Sequence, residues 1–257
     1  MEINIIANQK GGAGKSTVAV NLAAGIGDGG RSVLLIDADP QASTTRWLQG
    51  RENVGGKSFY KSLVDGEPLQ DAVTDTDVLG VDLISSGDWL VKADKQLSAE
   101  PGAETILRAR LEELPARWEH VLIDTPPNLD TLTVNALAGA DAVLIPVQAR
   151  YMALEGLARL MRTVDMVKER LNETLEITGV IPNQVDARTK HSGDVIDALR
   201  DRFGDRIYEP GIRENIRLAE APSHHETIFK YAPKSRGNKD FRRLSEQFIE
   251  RHSTEVQ

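Results

Sequence analysis

Cysteine is absent from the 257 residues. That excludes disulfides, thiolate metal sites, iron–sulfur clusters and cysteine nucleophiles, and it fits a reducing cytoplasm. Long apolar runs are missing as well. No uninterrupted stretch approaches the roughly 20 residues of a membrane-spanning helix. The opening "MEINIIANQK" lacks the basic segment and long apolar core of a secretory signal, so a soluble protein is expected. Repeats, low-complexity tracts and linker-like stretches are also absent, and one domain spanning residues 1–257 is expected. Positive charge is scarce: 31 Lys+Arg stand against 39 Asp+Glu, a net of −8, which argues against a nucleic-acid partner for the molecule as a whole. The deficit is uneven, however. Between Arg188 and Arg243 there are 13 Lys/Arg and 9 Asp/Glu, a net of +4, leaving −12 elsewhere. Such a locally basic face can hold a phosphate backbone, although charge alone favours a solvated surface.

What is present is an ordinary globular composition, 40% hydrophobic and 27% charged, set in a repeating rhythm. "INIIA" (Ile3–Ala7) is a short apolar run rich in β-branched residues. After a Gly-rich stretch, "STVAVNLAAGI" repeats apolar residues at helical spacing through Val18, Leu22, Ala23 and Ile26. "SVLLIDAD", "HVLID" (His120–Asp124), "DAVLIPV" and "LEITGVIPN" read as further buried strands. "LDTLTVNALAGA" and "ALEGLARLMRTVDMVKERL" read as helices between them. Continuous apolar strands alternating with helices predict an α/β fold, a mostly parallel twisted sheet with helices on both faces. The stretch from Arg51 to Pro115 is less regular and is expected to form helices and loops around one strand, "GVDLISS". In such sheets ligands collect at the carboxyl ends of the strands. Three strands end there in chemistry-bearing sequence: Ala7 before the glycines, Ile36 before Asp37, and Ile123 before Asp124.

"NQKGGAGKST" (Asn8–Thr17) fits the end of a phosphate loop, G-x-x-x-x-G-K-[ST], in Gly14, Lys15 and Ser16, but opens on Gln9 rather than glycine. Gly11, Gly12 and Gly14, with Ala13 between them, let backbone N–H groups turn inward to cradle phosphates. The helix beginning near Ser16 and Thr17 adds its positive dipole end. Lys15 is expected to neutralise the β- and γ-phosphate oxygens, and the Ser16 hydroxyl to ligate Mg²⁺. One lysine, Lys10, is left over.

The variant K-G-G-x-G-K-[ST] resembles the deviant Walker loop of the ParA/MinD superfamily. "LLIDADPQAS" is similar to that family's second motif, and "HVLIDTPPNLDTLTVNALAGADAVLIPVQARYMALEGL" to its Walker B strand and following helices. "DARTKHSGDVIDALRDRFGD", "NIRLAEAPSHHETI" and "YAPKSRG" resemble the ParA branch in particular. The resemblance covers nearly the whole chain, with Arg51–Pro115 its weakest part. It implies a P-loop NTPase fold and an Mg²⁺-dependent ATPase, weak until stimulated. It also implies an ATP-sandwich homodimer in which Lys10 contacts the nucleotide of the facing subunit. In its terms Asp37 lies near the Mg²⁺ shell, Asp39 is needed for hydrolysis, and Asp124 holds Mg²⁺ through water. Which of Asp37 and Asp39 sits closer to the attacking water is left open. "TPP" after Asp124 is expected to form a stiff switch segment.

Asn183, at the end of "IPNQVD", is placed to read the adenine of ATP, since one side-chain amide both donates and accepts. The same letters faintly resemble the N-K-x-D element of GTPases, with Gln184 in place of lysine, which keeps GTP as a minor alternative. Many relatives have proline where this chain has Arg213, and backbone contacts to the base there are in doubt. The ParA resemblance further implies non-specific double-stranded DNA as a partner of the ATP dimer, with Arg188 and Arg217 at family DNA-contact positions. Lys230, Lys234, Arg236, Lys239, Arg242 and Arg243 are candidates to widen that patch. It also implies a ParB-like protein that stimulates hydrolysis, and a cytoplasmic, nucleoid-associated location. The chain starts on its first strand, so no N-terminal DNA-binding extension is expected. The alternative is a MinD-like or cargo-positioning ATPase acting on a membrane or protein cluster. The tail "FRRLSEQFIERHSTEVQ" puts Phe241, Leu244, Phe248 and Ile249 on one face, yet it carries acidic residues and ends in a polar run. A membrane helix should be richer in Lys/Arg opposite a broader apolar face, so packing on the core is expected.

Overall fold

The computed structural model describes residues 1–50, 55–150 and 153–253. In chain order the elements are β1 (Glu2–Ile6), α1 (Lys15–Asp28), β2 (Val33–Asp37), α2 (Ser43–Gln49), α3 (Lys57–Val64), β3 (Val73–Asp75), β4 (Val81–Ile84) and α4 (Asp88–Leu97). Then follow α5 (Ile106–Glu112), β5 (His120–Asp124), α6 (Thr131–Gly139), β6 (Ala142–Gln148), α7 (Ala153–Arg170) and β7 (Glu176–Val185). The chain ends with α8 (Lys190–Phe203), β8 (Ile212–Arg213), α9 (Ile216–Glu220), α10 (Ile228–Tyr231) and α11 (Arg236–Ser253).

Eight strands form one sheet in the order β3-β4-β2-β5-β1-β6-β7-β8. All neighbours are parallel except β3, which pairs antiparallel with β4 at the edge. β2 and β5 are buried at every position, as are all seven residues of β6. Strands covered on both faces need apolar side chains throughout, which is why these runs do not alternate.

Two apolar layers cover the sheet. On one face α1 and α11 carry Val18, Leu22, Ile26, Phe241, Leu244 and Phe248 into a core with Leu35 and Leu122. On the other, α3 to α8 pack Phe59, Leu90, Leu107, Leu137, Leu160 and Leu199 against the alternate strand residues. Helices α1 and α11 approach closely at Gly25, where a Cβ would lie 1.9 Å from Ser245 Oγ; only glycine lets the two backbones meet there. The terminal helix therefore buries its apolar face inside the protein, as the sequence pattern implies. The last residues of the polar tail, 254–257, lie outside the described residues.

The Arg51–Pro115 stretch differs from expectation by one strand; its residues 51–54 lie outside the described ones. Besides β4, which matches "GVDLISS", it contributes β3 as an antiparallel edge partner. "VTD" has one apolar residue and no periodicity, and only pairing with β4 makes it a strand. β8 is shorter still, two residues added to the far edge beside β7.

Candidate active site

The topology brings the ends of β1, β2 and β5 side by side. Ile6 pairs with Asp124 in the β1–β5 register, and Asp37 pairs with Asp124 in the β2–β5 register. After β1 the chain runs through the Gly-rich loop into α1. Gly14 takes φ 86°, and a Cβ there would lie 2.1 Å from Asn183 Nδ2, so only glycine can occupy this position. The first turn closes when Val18 N–H donates to Gly14 O at 2.9 Å.

The loop forms one wall of a cleft of about 1160 Å³ that also reaches Asp39, Trp47 and Pro222. A cleft of this size holds a drug-sized ligand with room to spare. Its outer wall is fastened by two contacts: Trp47 Nε1 donates to Glu226 O at 2.8 Å, and His225 Nδ1 lies 3.0 Å from Arg46 O.

Four charged side chains converge under the loop. Lys15 is buried, and burial lowers its pKa while the Asp124 and Asp39 carboxylates oppose that fall. Asp124 is fully buried, and burial lifts its carboxyl to about 6. The hydroxyls of Ser16 and Thr44 and the Lys15 ammonium hold it down, while Asp39 adds to the rise. Thr44 Oγ1 donates to Asp124 Oδ2 at 2.8 Å. Asp37 is raised well above the ordinary carboxylate range by burial and by the neighbouring Asp124 charge. Its Oδ2 accepts from both Thr45 N and Thr45 Oγ1 at 2.8 Å, and its Oδ1 accepts from Asp39 N at 3.2 Å. Asp37 thus holds the first turn of α2 and the Asp39 backbone. Asp39 itself lines the cleft, with Gln41 N donating to its Oδ1 at 2.9 Å.

Asp124 and Asp39 beside Lys15, with Asp37 behind them, form a site short of positive charge, and a divalent cation suits that imbalance. Asp124 Oδ1 is a buried oxygen with no hydrogen-bond partner, an arrangement that costs free energy unless something fills it. Among the described residues no three acidic or histidine side chains could hold a metal unaided. That is the expected state for Mg²⁺, which keeps several waters and leans on substrate phosphates. Ser16 and Asp124 fit the role of its protein contacts.

The two loop lysines part company. Lys15 faces the cleft, whereas Lys10 is not among its lining residues. Lys10 N–H donates to Asn8 Oδ1 at 2.9 Å, and Asn8 is anchored in turn through Nδ2 to Pro146 O at 2.7 Å. Ser16 and Thr17 line the cleft with Gly11, Gly12 and Gly14, and Ala13 is buried between them. Asn183 sits under the loop rather than in the open cleft. Its Nδ2 donates to Ala13 O at 2.8 Å and its Oδ1 accepts from Gln184 N at 2.9 Å, so both amide atoms are engaged by the protein itself. Thr44, Thr45, Gln148 and Gln184 also belong to the site; the sequence motifs assign a role to none of them.

Arg188, in the turn after β7, and Arg217, in the first turn of α9 after β8, follow adjacent parallel strands, with Glu214 N donating to Val185 O at 3.0 Å. Each is paired locally: Arg188 with both Asp186 oxygens at 2.9 and 3.0 Å, and Arg217 with Glu220 at 2.7 Å. Of the wider basic set, Arg242 pairs with Asp28 and Lys230 with Glu226. Arg213 is explained by α11: it grips the buried Asp240 with its guanidinium and its backbone N–H. Among the described residues no helix is long and apolar enough to cross a membrane.

A mostly parallel sheet with a Gly-rich loop after β1, a buried lysine opening α1 and aspartates ending β2 and β5 defines a P-loop ATPase. A family profile described as an AAA domain matches residues 1–177. The sporulation initiation inhibitor protein Soj of Bacillus subtilis is 41% identical over 236 residues, covering 92% of this chain and 93% of that protein. The chromosome-partitioning ATPase Soj of Thermus thermophilus is 42% identical over 246 residues, covering 96% and 94%. The chain belongs to the Soj/ParA family of ATPases. Among solved structures, cobyrinic acid a,c-diamide synthase from Mycobacterium smegmatis, with bound ATP analog and magnesium, superposes with a TM-score of 0.85. It is 29% identical, with 100% of this chain and 97% of that chain covered. The cofactors of this fold are ATP and Mg²⁺, as the sequence motifs imply.

Proposed function

We propose that this chain is a DNA-partition ATPase whose ATP-bound dimer binds DNA without sequence preference and lets go when a ParB-like partner stimulates hydrolysis. The observation that carries the reading is the division of labour between the loop lysines. Lys15 is enclosed with Asp124 and Asp39, while Lys10 stands outside the lining of its own cleft. A cation in that place suits the nucleotide of a facing subunit, where it answers charge spreading over the phosphoryl oxygens as an arginine finger does. Hydrolysis then depends on dimerisation.

In this reading the backbone from Gly11 to Gly14 and the Lys15 ammonium bind and orient the phosphates. Ser16 and Asp124 hold Mg²⁺, which neutralises charge between the phosphates when bound. Asp39, the one upstream carboxylate that lines the cleft, orients the attacking water, and Asp37 keeps the Asp39 backbone and α2 in place. Arg188 and Arg217 supply phosphate contacts to DNA, a sequence-independent attraction that weakens steeply with salt. Kinship with the chromosome-partitioning ATPase Soj of Thermus thermophilus supports the reading. A cytoplasmic, nucleoid-associated location follows from it.

The test is sedimentation with plasmid DNA, and in parallel with anionic vesicles, in ATP, ADP or no nucleotide. ATP-dependent, salt-sensitive retention by DNA, lost in Arg188→Glu and Arg217→Glu, is the expected result. Vesicle binding without DNA retention overturns the reading. Asp39→Ala is expected to accumulate as an ATP dimer by gel filtration while turnover falls.

A further inference from the structure

Two backbone oxygens of the phosphate loop are held by side-chain amides from the ends of β6 and β7. Gln148 Nε2 donates to Gly12 O at 2.6 Å, and Gln184 Nε2 donates to the same oxygen at 3.1 Å. Asn183 Nδ2 donates to the next carbonyl, Ala13 O, at 2.8 Å. The two glutamines are also tied to each other, Gln148 Nε2 to Gln184 Oε1 at 3.2 Å. A carbonyl oxygen has two lone pairs, and both glutamines converge on those of Gly12.

Ordinary strand geometry does not give this arrangement. Gln148 lies opposite Asn183 in the β6–β7 register, so those two residues can both reach the loop. Consecutive residues of a strand point to opposite faces, and Gln184 should therefore point away. It does not, because it takes φ 52°, in the left-handed region, and the pairing with β8 shifts between Asn183 and Val185. Such an irregularity re-aims a side chain. Left-handed backbone is uncommon for glutamine, and strain of this kind persists only where its surroundings hold it. Here the holding contacts end on the phosphate loop.

A trans peptide points its C=O and N–H in opposite directions. Pinning Gly12 O turns Ala13 N–H the other way, to Lys10 O at 3.3 Å, which closes the turn carrying Lys10. Pinning Ala13 O turns Gly14 N–H away from Asn183. We infer that Gln148 and Gln184 are positioning residues that hold the phosphate loop in its anion-binding shape before nucleotide arrives. A loop set in advance loses less conformational freedom on binding. This inference rests on the nucleotide reading of the cleft.

The test compares Gln148→Met, Gln184→Gly and the double variant with the unaltered protein, by titration with MgADP and by melting without nucleotide. Glycine adopts φ 52° without strain, so Gln184→Gly is expected to keep or raise the nucleotide-free melting temperature while binding MgADP more weakly. Each single variant should bind about fivefold more weakly and the double about thirtyfold, one net hydrogen bond apiece. Double-variant affinity within about twofold of the unaltered protein overturns the inference, with that margin set against the same hydrogen-bond scale. So does affinity that falls only in step with the melting temperature. If the unaltered protein itself fails to bind MgADP, the nucleotide reading falls, and the inference with it.

Discussion

Asp124 is where the needs of folding and of chemistry pull apart. Its carboxyl is buried beside Asp37 and Asp39, and burial carries it to about 6. A carboxyl raised in the folded state binds its proton more tightly there than in the unfolded chain. The stability this confers is full below about pH 4 and is lost as pH rises through about 6. At neutral pH the nucleotide-free protein carries that cost undiminished. Asp124→Asn is therefore expected to stabilise it at pH 7 by about 2 kcal/mol, a gain that shrinks toward zero below about pH 4. Thermal melting of both proteins across that range, without nucleotide, measures the difference. The same substitution removes the carboxylate assigned to Mg²⁺, and Mg²⁺-dependent hydrolysis should be lost. A gap independent of pH would show that the carboxyl is not the source of the cost. Arg213 presents the opposite case, a residue whose worth is wholly structural. Removing its guanidinium leaves the buried Asp240 carboxylate short of a partner, so Arg213→Ala should cost about 1–3 kcal/mol in chemical denaturation.

The elements differ in how plainly the sequence announces them. The strands β2, β5 and β6 are built on continuous apolar runs, β1 and β7 are mostly apolar, and α1, α7 and α11 show helical spacing, so the frame of the fold is legible in the sequence. Gly14, Lys15, Ser16 and Asp124 are legible too, because a phosphate loop and a strand-end carboxylate keep their chemistry wherever they occur. β3 and β8 are not, since three and two residues carry no period of their own. Nor is the place of Asn183: its letters suit a base contact, but the backbone at Gln184 and the closeness of Gly14 turn its amide under the loop. Short-range ion pairs carry no motif of their own either, and they matter for DNA. Arg188 and Arg217 are each clasped by an acid of their own segment, Asp186 and Glu220. DNA phosphates must compete with these carboxylates. Asp186→Asn and Glu220→Gln are therefore expected to strengthen ATP-dependent DNA retention, and Arg188→Ala to weaken it. Filter retention over a range of salt concentration reads both effects, and the arginine variant should flatten the salt dependence. Unchanged retention in the acid variants would remove these arginines from the contact.

At the scale of the whole molecule the central issue is whether one chain completes its own site. Its sheet, cleft and acid cluster are assembled within a single subunit, yet Lys10 stands outside the lining of the cleft it precedes. If Lys10 serves the facing subunit, a mixture of two defective proteins must regain activity. Lys10→Ala keeps Lys15, Asp39 and Asp124 but has no lysine to offer its partner; Asp39→Ala keeps Lys10 but cannot orient water. Neither homodimer should turn over ATP. In the mixed dimer the Lys10→Ala subunit holds an intact acid cluster and receives Lys10 from its partner, so one of two sites works. With random pairing in equal amounts, half the dimers are mixed, and the rate should recover to roughly a quarter of the unaltered value. A lysine acting on its own subunit's nucleotide predicts no recovery, because every site then lacks either Lys10 or Asp39. Steady-state phosphate release at fixed total protein, titrated across mixing ratios, distinguishes the two, since recovery in trans peaks at equal amounts and vanishes at either end.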